Sequence, residues 1–236
     1  MQLPALTAGR MLCRYKRFFA DIELEDGTLI TAHCPNTGSM KGCWEPGAPA
    51  QISHSDNPRR KLPWTLERVD MGGGWIGVNT SRTNAVVAEA VAQGRVAALA
   101  GYPQQRREVS YQLTGGIRSR LDLMLSGSSR PEALVEIKNV TLLEGDRLRF
   151  PDAVSERALK HLNCLQAAVE QGLRGVILFA LNRPEGSCFS PAGRIDPAYA
   201  KRLEEVLALG VEAIALRIRY TGKGMIGEGI VPVVLD

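Results

Sequence analysis

Two short alternating segments constrain this chain more than any other feature: Ser119-Arg120-Leu121-Asp122-Leu123-Met124-Leu125 and, after a loop, Leu134-Val135-Glu136-Ile137-Lys138-Asn139. A polar–apolar period of two belongs to half-buried strands, whose successive side chains point to opposite faces. Glu136 and Lys138, two residues apart, therefore share a face. The connector Ser126-Gly127-Ser128-Ser129-Arg130-Pro131 is rich in turn formers. It lets the strands pair as a hairpin and bring Asp122 beside Glu136.

Carboxylates gathered on an apolar sheet repel and lose hydration, a conflict that a bound cation resolves. Magnesium takes one or two protein carboxylates and keeps several waters, so Asp122 and Glu136 suit Mg²⁺ or Mn²⁺. The metal would acidify water and counter charge on a phosphate, while the Lys138 ammonium orients the nucleophile or meets the phosphate. Phosphodiester hydrolysis is the chemistry this triplet suggests. The alternative is a solvated, cross-strand patch of charge on an ordinary hairpin.

A length of 236 residues holds one large or two small domains with a sizeable core. No apolar run approaches the roughly 20 residues of a membrane span, and the start lacks a leader pattern, so a cytoplasmic protein with no membrane partner is expected. The 5 cysteines include no C-x-x-C pair, and His33, Cys34 and Cys43 lack a fourth zinc ligand, so buried thiols are the simpler reading. The formal net charge of +4 is gathered in clusters. Arg14-Tyr15-Lys16-Arg17-Phe18-Phe19 mixes cations with aromatics, Arg59-Arg60-Lys61 sits in a proline-flanked loop, and Arg106-Arg107 precedes a strand. Such groups contact phosphates and stack on bases, although strand edges and loops carry them for solvation too.

Residues 1–82 read as all-β, with strands near 10–24, 29–34, 50–55, 64–69 and 75–79. Five short strands with basic loops are compatible with an OB-like barrel, a fold that often binds single strands or oligosaccharides. Its loop Cys34-Pro35-Asn36-Thr37-Gly38-Ser39-Met40 can turn the chain or hold a phosphate. Residues 83–236 form a second domain. An alanine-rich helix capped by Thr83 or Asn84 leads to strands near 108–113, 120–125 and 133–140, a helix over 152–171 and a strand at 175–181. A helix opened by Asp196-Pro197 then feeds a strand at 211–220, giving an αβββαβ order with a parallel crossover and a central mixed sheet. On the 152–171 helix, Val154, Ala158, Leu162, Leu165 and Val169 form the apolar stripe. Arg157, Lys160 and Cys164 share a flank on which the two cations could face a phosphate. His161 lies between stripe and flank and is a secondary site candidate. Glu89, on the first helix, could point toward the metal.

The αβββαβ order, with Asp122 on one strand and Glu136-x-Lys138 on the next, resembles the PD-(D/E)xK nuclease superfamily, the restriction-endonuclease-like fold. Leu121 stands where the motif has proline, and the literal Pro151-Asp152 follows Glu136-x-Lys138 instead of preceding it. The resemblance implies magnesium or manganese at Asp122 and Glu136, a hydrolytic role for Lys138, and a helical acidic ligand that maps to Glu89.

The whole chain is also similar to the sugar fermentation stimulation protein family of prokaryotes, through Arg14-Tyr15-Lys16-Arg17-Phe18, His33-Cys34-Pro35-Asn36-Thr37-Gly38-Ser39-Met40, Ser55-Asp56-Asn57-Pro58, Glu136-Ile137-Lys138-Asn139-Val140-Thr141 and Phe150-Pro151-Asp152-Ala153-Val154. That similarity implies an OB-like domain followed by a nuclease-like one, DNA binding, and a regulatory association with maltose metabolism. No helix-turn-helix reader accompanies it, so DNA binding is expected to be phosphate-driven and weakly sequence-specific. The expectation is a DNA-binding protein with a metal-dependent nuclease site at Asp122, Glu136 and Lys138. Its phosphate contacts are Arg14, Lys16, Arg17, Arg59, Arg60, Lys61, Arg157 and Lys160. The rival expectations are a non-catalytic DNA-binding regulator, and an RNA- or oligosaccharide-binding module.

Overall fold

In the computed structural model, which describes residues 1–112 and 118–235, the first 70 residues close into a barrel of five strands. These are β1 (Leu6–Tyr15), β2 (Phe19–Leu24), β3 (Leu29–His33), β4 (Pro49–His54) and β5 (Trp64–Asp70). They run in the order β3-β2-β1-β4-β5, and a parallel bridge between His33 and Thr65 closes the ring. Inward residues such as Met11, Ile22, Ile52 and Leu66 fill the interior. A short β6 (Trp75–Gly77) pairs with β5 outside the closure. The expected single strand over 10–24 is instead two strands. The chain reverses over the three residues Lys16-Arg17-Phe18, with Lys16 and Arg17 both left-handed at φ 47° and 64°. Period-two patterning continues through this turn because Tyr15 and Phe19 pair across it, with ring centroids 5.3 Å apart.

The second unit begins with α1 (Thr83–Ala92), followed by β7 (Gln104–Gln112), β8 (Arg118–Ser126), β9 (Ala133–Val140), β10 (Leu142–Glu144) and β11 (Arg147–Phe150). Then come α2 (Glu156–Glu170), β12 (Arg174–Leu181), β13 (Cys188–Pro191), α3 (Pro197–Ala208), β14 (Glu212–Tyr220) and β15 (Met225–Val231). Position 113, at the end of the strand expected over 108–113, lies outside the described residues. The main sheet runs β15-β14-β12-β9-β8-β7. Its centre, β9-β12-β14, is parallel and its flanks are antiparallel, so the mixed sheet and the αβββαβ order are both present. Val86, Val87, Ala90 and Val91 of α1 pack on one face, and Leu162 and Leu165 of α2 with Leu203 of α3 pack on the other. Sequence patterning did not separate out β10, β11 and β13, which form a small three-stranded sheet.

Two expectations about helix starts are corrected. Neither Thr83 nor Asn84 caps α1. The preceding residue is Arg82, which makes no side-chain cap, and both candidates spend their side chains on the sheet instead. The second long helix starts at Glu156, because Ser155 accepts from Ala158 N at 3.1 Å. Val154 therefore lies before the helix, 73% exposed, and is no part of the apolar stripe. Cys164 is fully buried, so it does not share the solvent flank of Arg157 and Lys160. α3 does start at Asp196-Pro197, with Asp196 accepting from Tyr199 N at 3.0 Å.

Barrel and sheet are tied together by buried polar contacts. Arg68, 1% exposed, donates to the carbonyls of Thr221 and Gly222 at 2.7 and 3.3 Å. Gly77 N donates to Asn182 O at 2.8 Å. In the loop after β3, Ser39 donates through N and Oγ to Asp152 Oδ2 at 2.7 and 3.0 Å. A barrel loop is thus pinned to the chain leading into α2.

Candidate active site

Antiparallel pairing of β8 with β9 runs through Leu123↔Val135, Met124↔Leu134 and Leu125↔Ala133 and stops there. The next pair would be Asp122 and Glu136. Instead the strands part, and the half-buried Asp122 carboxylate accepts the backbone N–H of Ile137 at 2.8 Å through Oδ2. Its Oδ1 accepts from Asn84 Nδ2 at 2.7 Å, an amide delivered by the first turn of α1. Burial, reinforced by the Glu136 charge, pushes the Asp122 carboxyl above its usual range against the pull of these donors.

On β9, Glu136 and Lys138 point to the α2 side and are 3% and 8% exposed. Lys138 Nζ donates to Glu136 Oε1 at 2.7 Å, and His161 of α2 closes on that same oxygen through Nδ1. Lys138 Nζ and His161 Nδ1 stand 2.9 Å apart. Burial alone would raise Glu136, but the bond from His161 and the Lys138 charge outweigh it and hold the carboxyl below its usual range. Glu136 Oε2 is buried and takes no hydrogen bond among the described residues. A buried carboxylate oxygen left so is costly, and that is the donor set a hard divalent cation uses. The residues present therefore fit such an ion as two carboxylates from neighbouring strands, with the remaining positions left to water or phosphate.

The structure brings Asp122, Glu136, Lys138 and His161 together. It does not bring Glu89 to them. Glu89 accepts from the Met1 ammonium at 2.5 Å, because five residues beyond Asn84 the helix has turned that side chain toward another edge of the sheet. Among the described residues no three His, Cys, Asp or Glu side chains cluster as a metal site. The expected phosphate contacts are scattered. Arg14 is spent on structure, donating to the carbonyls of Arg17, Asn36 and Gly38 at 3.1, 2.9 and 3.0 Å and so holding up the loop after β3. Lys16 and Arg17 are exposed at the β1–β2 turn, and Arg59 and Lys61 are exposed in the β4–β5 loop. Arg60 turns back onto Thr65 Oγ1 at 2.7 Å. Arg157 and Lys160 are exposed on α2, and Arg157 lines a cleft beside the site.

Sequence reading missed the polar residues that support this centre. Asn139 Oδ1 accepts from Thr83 Oγ1 at 2.9 Å and Asn182 Nδ2 at 2.6 Å, and Tyr220 Oη donates to Asn182 Oδ1 at 2.8 Å. Asn84, read only as a possible cap, is the group on Asp122. The signal available was a polar Thr83-Asn84 pair opening a helix otherwise made mostly of alanine and valine.

Comparison with known proteins follows the two units. A family model described as "Sugar fermentation stimulation protein RE domain" matches residues 81–224, and one described as "SfsA N-terminal OB domain" matches residues 12–78. A "Sugar fermentation stimulation protein homolog" of Acidithiobacillus ferrooxidans is 52% identical over 222 residues, 94% of each chain. Its namesake in Pelobacter propionicus is 48% identical over 235 residues, the full length of both. A solved structure described as Pyrococcus furiosus SfsA in complex with Ca²⁺ superposes with a TM-score of 0.87 at 26% identity, covering 99% of this chain and 98% of that one.

Proposed function

This chain belongs to the sugar fermentation stimulation protein family, and from that premise we propose that it binds nucleic acid, DNA first, and hydrolyses phosphodiesters with a divalent cation held by Asp122 and Glu136. One observation carries the reading: Glu136 Oε2 is buried without a partner at the point where two strands part around a second carboxylate. The Pyrococcus furiosus relative was solved in complex with Ca²⁺, which agrees with a hard cation at an oxygen-rich site.

A bound Mg²⁺ or Mn²⁺ would acidify water and counter charge on a phosphate. The protein's own part is to place charge. Lys138 and His161 hold Glu136 Oε1, which fixes the carboxylate plane and leaves Oε2 as the ligand atom. Lys138, paired with Glu136, supplies a positive end for a phosphate oxygen. Asn84 and Ile137 N set the rotamer of Asp122. The barrel and the exposed cations of its loops supply sequence-independent affinity. All 5 cysteines are free thiols, in keeping with a reducing cytoplasm.

A second reading, a non-catalytic DNA-binding regulator of sugar metabolism, draws on the fact that both Asp122 oxygens already accept protein donors. Supercoiled plasmid and labelled single-stranded DNA and RNA, incubated with Mg²⁺ or Mn²⁺ beside Asp122→Asn and Glu136→Gln, separate the two. Cleavage by the wild type alone supports the nuclease. Equal DNA binding by all three proteins, with no cleavage under either metal, rejects it in favour of the regulator.

A further inference from the structure

Between the barrel loop after β3 and the small sheet lies a cleft of about 380 Å³, with Thr37 on one wall and Asn139, Arg149 and Arg157 on the other. Arg157 stands one turn before His161 on α2, so the cleft opens beside the candidate active site. Both bonds to Asn139 go to its Oδ1, which leaves its NH₂ group as a donor at the wall. Arg149 also lines a second groove of about 520 Å³, with Arg147 and Arg194. The two concavities share this arginine as a lining residue. The acidic side chains in the walls are engaged, Asp152 by Ser39 and Glu144 by Arg149 at 3.1 Å. Arg149 also donates to Pro191 O at 2.8 Å and Arg147 to Ser190 Oγ at 3.2 Å, so these two arginines brace the walls and the exposed cations are Arg157 and Arg194.

We propose that the two concavities join at Arg149 into the path of a single nucleic-acid strand, which runs from Arg194 to Arg157 and delivers a phosphate to Lys138. The inference rests on the nucleic-acid reading above and adds the substrate class and the route. Width decides against duplex. A volume of about 380 Å³ is a sphere about 9 Å across, whereas a B-DNA duplex is at least about 16 Å thick from the depths of its two grooves alone. The wall cannot simply swing aside, because Ser39 is bonded to Asp152 and Arg183 donates to Gly42 O and Thr141 O at 3.4 and 2.9 Å. A basic groove that follows one backbone is how single strands are held without sequence preference. The strand's phosphates would meet Arg157 and Arg194 at the two ends, and its sugars and bases would meet Thr37 and Asn139.

The test is fluorescence anisotropy with the full chain in EDTA, using a labelled single-stranded oligonucleotide and its duplex over a series of salt concentrations. Wild type, Arg157→Ala/Arg194→Ala and, as a control, Arg219→Ala on the exposed end of β14 are compared, with melting curves to establish that each is folded. The wild type should bind single strand more tightly than duplex. The double variant should bind single strand about tenfold more weakly, with a log–log salt slope shallower by about 1.4, as expected when two fewer phosphates are neutralised. Arg219→Ala should match the wild type. Equal affinity for duplex, or a double variant that binds single strand as the wild type does, overturns the route while leaving nucleic-acid binding in place. No binding of either form by the wild type overturns the route and the nucleic-acid reading together.

Discussion

The Asp122 carboxylate takes the backbone N–H of Ile137 at 2.8 Å, so a side chain of β8 stands where a cross-strand carbonyl would stand, at the point where the β8–β9 ladder ends. One bond thereby satisfies a backbone donor and directs a carboxylate toward Glu136. It also stores electrostatic cost in the metal-free protein, since Asp122 is partly buried and faces another carboxylate.

That cost has a sign. The raised Asp122 carboxyl favours the protonated form in the fold, so the stability linked to its proton is present at low pH and lost as pH rises through its folded value. At pH 7 in EDTA, Asp122→Asn should therefore melt higher than wild type, by about 2–4 °C, because the amide keeps an oxygen for Ile137 without the charge. The gap should shrink as the buffer is taken toward pH 4. A lower melting temperature at pH 7 would show that the carboxylate's hydrogen bonds outweigh its repulsion.

The same isosteric change at Glu136 should act oppositely. Glu136→Gln leaves the Lys138 ammonium, 8% exposed, beside His161 without its hydrogen-bonded carboxylate and with only Asp122 as a countercharge, a loss of about 3 kcal/mol by urea denaturation at pH 7. Because the folded Glu136 carboxyl is lowered from 4.5, its contribution is present above that value and disappears as pH falls through the lowered one. The wild-type and variant denaturation midpoints should converge in acid. Midpoints that differ equally at pH 7 and pH 3 would rule the charge out as the cause.

Gly77 marks the seam between barrel and sheet. A Cβ there would lie 1.5 Å from Tyr220 Oη, whose hydrogen bond orients Asn182 and, through it, Asn139. Gly77→Ala should cost about 3 kcal/mol or more by overpacking. The same change should cost less in a Tyr220→Ala background, which removes the oxygen and the ring carbons Cζ and Cε2 that lie 2.3 and 2.9 Å from that Cβ. Absence of any rescue would place the strain elsewhere.

Divalent cation should raise the melting temperature of the wild type, since a ligand held only by the folded state at about 100 times its Kd adds about 2.7 kcal/mol. Titrating Ca²⁺ or Mg²⁺ in differential scanning fluorimetry should show this, with the shift abolished by chelator and by Asp122→Asn. A shift of the same size in that variant would remove Asp122 from the ligand set.

Much of the candidate site was legible in the sequence because it is local. Period-two alternation placed Glu136 and Lys138 on one face, and the turn-rich connector placed Asp122 on the neighbouring strand. The Asp196-Pro197 cap and the strand–helix–strand order were legible for the same reason, since caps and parallel crossovers follow from neighbours in the chain. The hairpin at Lys16-Arg17 was not, because left-handed backbone at residues other than glycine, asparagine or aspartate has no compositional mark.

Packing between distant elements sets which groups meet the site. Asn84 and Glu89 lie on one helix, and only its docking angle puts the amide on Asp122 and the carboxylate on Met1. His161 reaches Glu136 across 25 residues, and Ser39 reaches Asp152 across 113. The strands, their faces and the charged groups they carry follow from the chain alone, since those depend on backbone period and residue type over a few neighbours. Which of these groups pair, which carboxylate oxygen is left without a donor, and where a strand could enter emerge only when far-apart segments come together in the fold, and no local pattern records that.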